Sequence, residues 1–226
     1  QGEPISNNGE WGLKPKGSFS QNSREYTLSA GGWDIGDNND ACMYAYTKLY
    51  NSQPILDCSI ISNITKLINP NAGKAPKFEG QSTIAKAGVM LRNTNYTGDT
   101  MVFLGIGAKN NSNYIVFRYR DGKDTKAIDI DTKIELDKKD NDEVNVYLKL
   151  SRIGNSVEGY YSYDGITWTL VETIILTSLN ENISMGLALT AGCNEMDAAT
   201  GIFNNVRFEK SDTKAPDKPD KPEIIK

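Results

Sequence analysis

The sequence predicts an all-β chain folded as an antiparallel two-sheet sandwich of the jelly-roll kind. Three observations carry this. From Trp11 to about Lys210 short apolar runs alternate with Gly/Asn/Asp turns, the spacing of sandwich strands. No segment keeps a long helical period. The stretch Ser151–Trp168 (SRIGNSVEGYYSYDGITW) reads as strand, Gly-Asn turn, strand, Asp-Gly turn, strand, because Asn and Gly accept the positive φ of tight hairpins.

In chain order, strands are expected near 17–20, 24–30, 41–49, 55–64, 84–92, 100–108, 113–120, 126–130, 144–152, 156–163, 167–175, 184–190 and 200–209. KAGVMLR is apolar on both faces, which predicts a central strand whose final Arg92 meets a rim. On 113–120 alternation sets Ile115, Phe117 and Tyr119 on one face, the expected core side. It sets Tyr114, Val116, Arg118 and Arg120 on the other. Val146, Leu148 and Leu150 are expected inside, with Tyr147 and Lys149 outside. On the next strand Tyr160 and Ser162 oppose Val157, Gly159 and Tyr161. Residues 1–10 are polar and turn-rich and read as a leader; 11–210 form the domain. Residues 211–226 (SDTKAPDKPDKPEIIK) are dominated by Pro, Asp and Lys and read as a spacer to a following domain. Because the chain opens on Gln1, it is expected to be a piece of something longer.

Composition narrows the chemistry. The 226 residues suffice for a sizeable core. With 25 Lys and Arg against 29 Asp and Glu, the formal charge is −4 and no long basic run exists, so nucleic acid is not an expected partner. No apolar run reaches the ~18 residues of a membrane helix. Histidine is absent, which removes the commonest general base and metal ligand and excludes Ser-His-Asp and Cys-His catalysis within this chain. Three scattered cysteines make no zinc site. If the strands near 41–49 and 55–64 pair about Tyr50, Cys42 faces Cys58 and two readings are open, a disulfide or two small buried hydrophobes. Cys193 has no partner visible in the sequence.

The order of motifs carries a resemblance. KGSFS, REYTLSAGGWDIGDNNDACMYAYTKL, KAGVMLR, YIVFRYR, VYLKLSR, SYDGITW, GLALTAG and FNNVRF follow one another in a manner that resembles the bacterial concanavalin-A-like (laminin-G-like) β-sandwich modules attached to extracellular glycoside hydrolases. The resemblance implies a two-sheet sandwich with one curved, partly exposed face. It also implies an accessory role: non-catalytic binding of a polysaccharide or host glycan in a secreted or cell-surface protein, beside other domains of the same polypeptide. A structural or adhesion spacer is the alternative, and a glycoside hydrolase or lyase a further one. SYDGITW also resembles the sialidase Asp-box hairpin, but it occurs once and lacks a residue between Asp164 and Gly165; it is read as a turn.

Three constellations could carry chemistry. Laminarinase-like hydrolases of this fold use Glu-x-Asp-x-x-Glu; here Glu195 and Asp197 begin the pattern but Thr200 ends it, so the second carboxylate is missing. Residues 34–40 (DIGDNND) offer Asp34, Asp37 and Asp40 with two amides, an oxygen set that would suit a structural Ca2+ and equally a solvated Asx turn. A glycan platform needs rings and planar polar groups. Among eleven Tyr and three Trp, the candidate surface is Arg92, Tyr114, Arg118, Arg120, Tyr147 and Tyr160, with cross-strand Tyr/Arg packing as the plain alternative.

Overall fold

A computed structural model describes residues 2–5, 17–48, 57–75, 82–109, 112–136, 140–192 and 197–210. The first sheet runs β1 (Gly2–Ile5), β4 (Cys42–Lys48), β14 (Ser184–Thr190), β6 (Ala85–Arg92), β7 (Met101–Ala108), β8 (Asn113–Arg120) and β10 (Glu135–Leu136), with the short β9 (Ile128–Ile130) also bonded to β8. The second runs β13 (Thr169–Ile175), β12 (Ser156–Ser162), β11 (Glu143–Ile153), β5 (Asp57–Ile68), β15 (Ala199–Lys210), β3 (Glu25–Ala30) and β2 (Gly17–Asn22). All pairings are antiparallel. In chain order the strands change sheet after β1, β3, β4, β5, β10, β13 and β14. This is a jelly-roll sandwich of the concanavalin-A-like kind.

Alternation builds the core. Val89, Leu91, Leu104, Ile106, Ile115 and Phe117 of the first sheet meet Ile60, Ile64, Leu148, Leu150 and Val157 of the second. The central strand expected of KAGVMLR is β6, buried along its whole length. Its second face is covered too: Cys42, Tyr44, Met90, Met101 and Phe103 form another apolar cluster on the far side of the first sheet, under Ile35. The hairpins of 151–168 form as β11–β12–β13, with Gly154 and Gly165 at φ +59° and +72°. The Asp164 carboxylate accepts the N–H groups of Ile166 and Thr167 at 2.8 and 2.7 Å and the Ser162 hydroxyl at 2.8 Å. Those backbone donors, with the hydroxyl, hold Asp164 well below the usual carboxylate range. The motif closes a turn.

Two expectations are corrected. Gly2–Ile5, inside the supposed leader, pairs with β4 and extends the first sheet. The strands around Tyr50 do not pair: β4 bonds β1 and β14, whereas β5 bonds β11 and β15. Cys42 faces the outer cluster and Cys58 the main core, on opposite sides of the first sheet, and both are free thiols. Burial pushes the Cys58 thiol up to about 11 and raises Cys42 as well. Cys193 lies outside the described residues.

Candidate functional site

The far side of the first sheet carries a row of cations at even-numbered positions: Lys86 and Arg92 on β6, Arg118 and Arg120 on β8. Each needs a partner, because an unpaired charge there would be taken out of water without compensation. The loop at 31–41 supplies two carboxylates. Asp40, 1 % exposed, accepts from both nitrogens of Arg120 at 3.0 and 2.9 Å and from Arg92; both arginines are 0 % exposed. The remaining guanidinium N–H groups donate to carbonyls of three loops. Arg92 reaches Thr94 and Tyr96; Arg120 reaches Gly36, Asp37, Thr97, Asp99 and Thr125. One carboxylate and two arginines thus tie the loops at 31–41, 93–100 and 121–127 to the sheet.

The second carboxylate sits nearer solvent. Lys86 Nζ, on a residue 2 % exposed, donates to Asp34 Oδ1 at 2.8 Å, and Arg118 Nη1 donates to Asp34 Oδ2 at 2.8 Å and to the Ile35 carbonyl at 2.7 Å. Burial raises the Asp34 carboxyl, but the charges of Lys86 and Arg118 outweigh it and hold it below the usual range. The outer edge of Arg118 meets Asp129 of β9 in a bidentate pair, Nη2 to Oδ2 at 2.7 Å and Nε to Oδ1. Although burial opposes it, the pairing with Asp34 and Asp129 drives Arg118 further up.

Two cavities flank this pair. One, of 540 Å³, is lined by Tyr114, Arg118, Asp129, Asp131, Lys133 and Glu135 among others. The other, of 270 Å³, is lined by Trp33, Asp34, Asn39, Arg118, Lys126 and Asp129 among others. Small-molecule sites span about 300–1,000 Å³. Two glycines shape the walls. A Cβ on Gly107, the cross-strand partner of Tyr114, would lie 2.6 Å from the Tyr114 ring, so the ring rests on bare backbone. A Cβ on Gly36 would lie 2.9 Å from Arg118 Nη1. The Lys109 ammonium stands 4.5 Å from the Tyr114 ring centre, an exposed cation–π contact of about 0.5–1 kcal/mol that a ligand can displace.

The six expected surface residues therefore separate into three groups. Tyr114 and Arg118 line the trough. Arg92 and Arg120 are buried struts, because the rim expected beyond Arg92 is roofed by the three loops. Tyr147 and Tyr160 lie on the outer face of the other sheet, where the Lys149 ammonium stands 4.4 Å from the Tyr160 ring and 4.6 Å from that of Trp168. The sequence reading missed Trp33, Lys86, Gly36, Gly107 and Asp129. A lysine inside an apolar strand was the available signal, since such a lysine calls for a carboxylate, and DIGDNND was the nearest supply.

Calcium does not fit residues 34–40. Asp40 is saturated by two arginines and Asp34 by Lys86 and Arg118, while Asp37 points outward with its side chain 83 % exposed, 3.7 Å from Lys126. A dication there would face four cations. Among the described residues no group of three acidic or thiol side chains gathers to hold a metal. Asp197 pairs with Lys74 at 3.3 Å, Thr200 lies on β15, and Glu195 falls outside the described residues.

Fold and site together define a concanavalin-A-like sandwich with an open polar trough on one sheet. No family model and no curated protein matches the chain. Among solved structures, a functionally unknown protein from Saccharomyces cerevisiae is similar with a TM-score of 0.59 and 12 % identity, over 87 % of this chain and 96 % of that one. A xylan β-1,4-xylosidase from Bacillus halodurans C-125 is similar at 0.53 and 11 %, over 85 % of this chain and 38 % of that one. A GH43 protein from Bacillus licheniformis is similar at 0.50 and 14 %, over 85 % and 34 %. At these identities the likeness is one of fold, and the chain spans little more than a third of either Bacillus protein.

Proposed function

We propose that this domain is a non-catalytic carbohydrate-binding module that holds a larger secreted or cell-surface polypeptide on a polysaccharide or host glycan. The observation that carries the reading is the Arg118–Asp129 pair set between two aromatic side chains, Trp33 and Tyr114, in an open trough. Sugars offer apolar C–H faces to rings and paired hydroxyls to planar donors and acceptors. The side chains are held in place before any ligand arrives, which lowers the cost of binding. Tethering would raise the local substrate concentration for whatever catalytic or adhesive domain shares the polypeptide. The likeness to one part of longer xylan-degrading and GH43 proteins supports a module of this size in such company.

Hydrolysis is the weaker reading. A glycosidase keeps one carboxyl protonated near neutrality, and Asp34 is driven the other way. Histidine, which could substitute as a proton donor, is absent.

An array of plant, microbial and host glycans probed with the full chain tests the proposal. At least one glycan is expected to bind, and to bind equally with a calcium chelator present. Asp129→Asn, which leaves the buried network intact, and Arg118→Ala are each expected to weaken that binding by about 10- to 100-fold, the loss of one charged hydrogen bond of about 1.5–3 kcal/mol. Binding unaffected by both substitutions, or no binding across the array, overturns the proposal; the second outcome leaves the spacer reading.

A further inference from the structure

We infer that the ligand of this trough is an internal run of an uncharged glycan, laid across two adjoining subsites that meet at the Arg118–Asp129 pair. The inference rests on the carbohydrate-binding reading above and goes further by fixing the ligand's charge and extent.

The extent follows from how the cavities are divided. Arg118 and Asp129 line both of them, so the pair is a shared partition and the two spaces are neighbours on one face. Each side has its own ring, Tyr114 in the larger cavity and Trp33 in the smaller. A single sugar centred on the pair would leave both rings unused. A chain passing over the partition puts a C–H face on each ring and hydroxyls on the pair between them. The larger cavity has twice the volume of the smaller, so more units lie on the Tyr114 side.

The charge follows from the lining. In the larger cavity Lys109, Arg118 and Lys133 stand against Asp129, Asp131 and Glu135. In the smaller, Arg118 and Lys126 stand against Asp34, Asp37 and Asp129. Neither side has a surplus of positive charge, and both edges of Arg118 already hold a carboxylate. An acidic sugar would meet at least as many carboxylates as cations on either side. A neutral one is served by what is left over. A guanidinium has five N–H donors. Nε and one Nη2 hydrogen go to Asp129, and both Nη1 hydrogens go to Asp34 and Ile35. Among the described residues one Nη2 hydrogen is left over, beside the outer lone pairs of Asp129, whose side chain is 61 % exposed. One donor next to acceptors is the complement of two hydroxyls on adjacent carbons.

Calorimetric titration of the full chain tests this with β-1,4-linked xylo-, gluco- and manno-oligosaccharides of one to six units, and with oligogalacturonides as the acidic counterpart. For the series that binds, affinity is expected to climb by about a hundredfold from one unit to four and then level off once both subsites are filled. Trp33→Ala is expected to shorten the length at which it levels off, without abolishing binding. Oligogalacturonides are expected to bind at least about tenfold more weakly than the neutral series. A monomer that binds as tightly as its tetramer, or an acidic series that binds better than every neutral one, overturns the inference while leaving carbohydrate binding intact. Failure of all series here and of the whole glycan array overturns both.

Discussion

Replacing Asp40 with alanine is expected to remove about 3–5 kcal/mol of folding stability, the cost of leaving buried charge without its partner. The reason lies in what stays behind. Arg92 and Arg120 are fully buried and their remaining donors reach only carbonyls, which stabilise a guanidinium but do not neutralise it. Burial alone would pull the Arg92 guanidinium down; the Asp40 carboxylate outweighs it and pushes the group up. With Asp40 gone, two cations face each other beneath the loops at 31–41, 93–100 and 121–127, and all three loops lose their common anchor. Urea unfolding of the full chain measures the effect as a fall in the transition midpoint with little change in slope. Asp37→Asn is the internal control: its side chain is 83 % exposed and asparagine keeps the positive φ of 49°, so a change within about 0.5 kcal/mol is expected. Equal effects of the two substitutions would contradict the strut and bring back a shared role for these carboxylates.

Replacing Asp34 with asparagine is expected to cost about 3 kcal/mol, the lower end of the same range, because the Asp34 side chain remains 30 % exposed whereas Lys86 is 2 % exposed. The substitution keeps the shape and leaves the Lys86 ammonium with an amide oxygen. It also changes the response to acid. The Asp34 carboxyl titrates lower in the folded chain than in the unfolded one. Its contribution is therefore complete above the unfolded value of about 3.9 and is lost as pH falls through the lower folded value. Wild-type stability should fall steeply below about pH 4, and the asparagine variant should show a shallower fall over the same range. Identical acid slopes in the two proteins would show that Asp34 does not carry this linkage. Because a buried ion pair can be exchanged for apolar groups at little cost, Asp34→Leu with Lys86→Met is expected to recover most of the loss.

Much of the fold was legible because alternation is a local signal. Each expected strand from 17–20 to 200–209 has a counterpart, and Phe117, Leu148 and Val157 face inward as their spacing requires. The sheet to which a strand belongs is not local. The strands holding Cys42 and Cys58 alternate well enough to pair, and only the competition of β1 and β14 for one and of β11 and β15 for the other separates them. The two-residue β10 obeys the same limit: it is held by β8, and little in its own residues announces it. The site was half legible for a related reason. Alternation placed Tyr114, Arg118 and Arg120 on one face, but whether an arginine on that face reaches solvent depends on loops distant in sequence. Arg118 and Arg120 are two residues apart on one strand, yet one lines a trough and the other is a strut. The carboxylates of DIGDNND invited a metal because the cations that claim them lie 52 to 84 positions further on.

The most direct test of the central claim is an amide-resolved NMR titration of the full chain with the neutral oligosaccharide that binds best. Sugar in the trough predicts that the amides of Trp33, Gly36, Gly107 and Asp129 and the Trp33 indole shift with ligand, while Tyr147, Gly165 and Trp168 on the other sheet stay still. Shifts gathered around Tyr147, Tyr160 and Trp168, with Trp33 and Gly107 unmoved, would contradict it and place carbohydrate recognition on the opposite face.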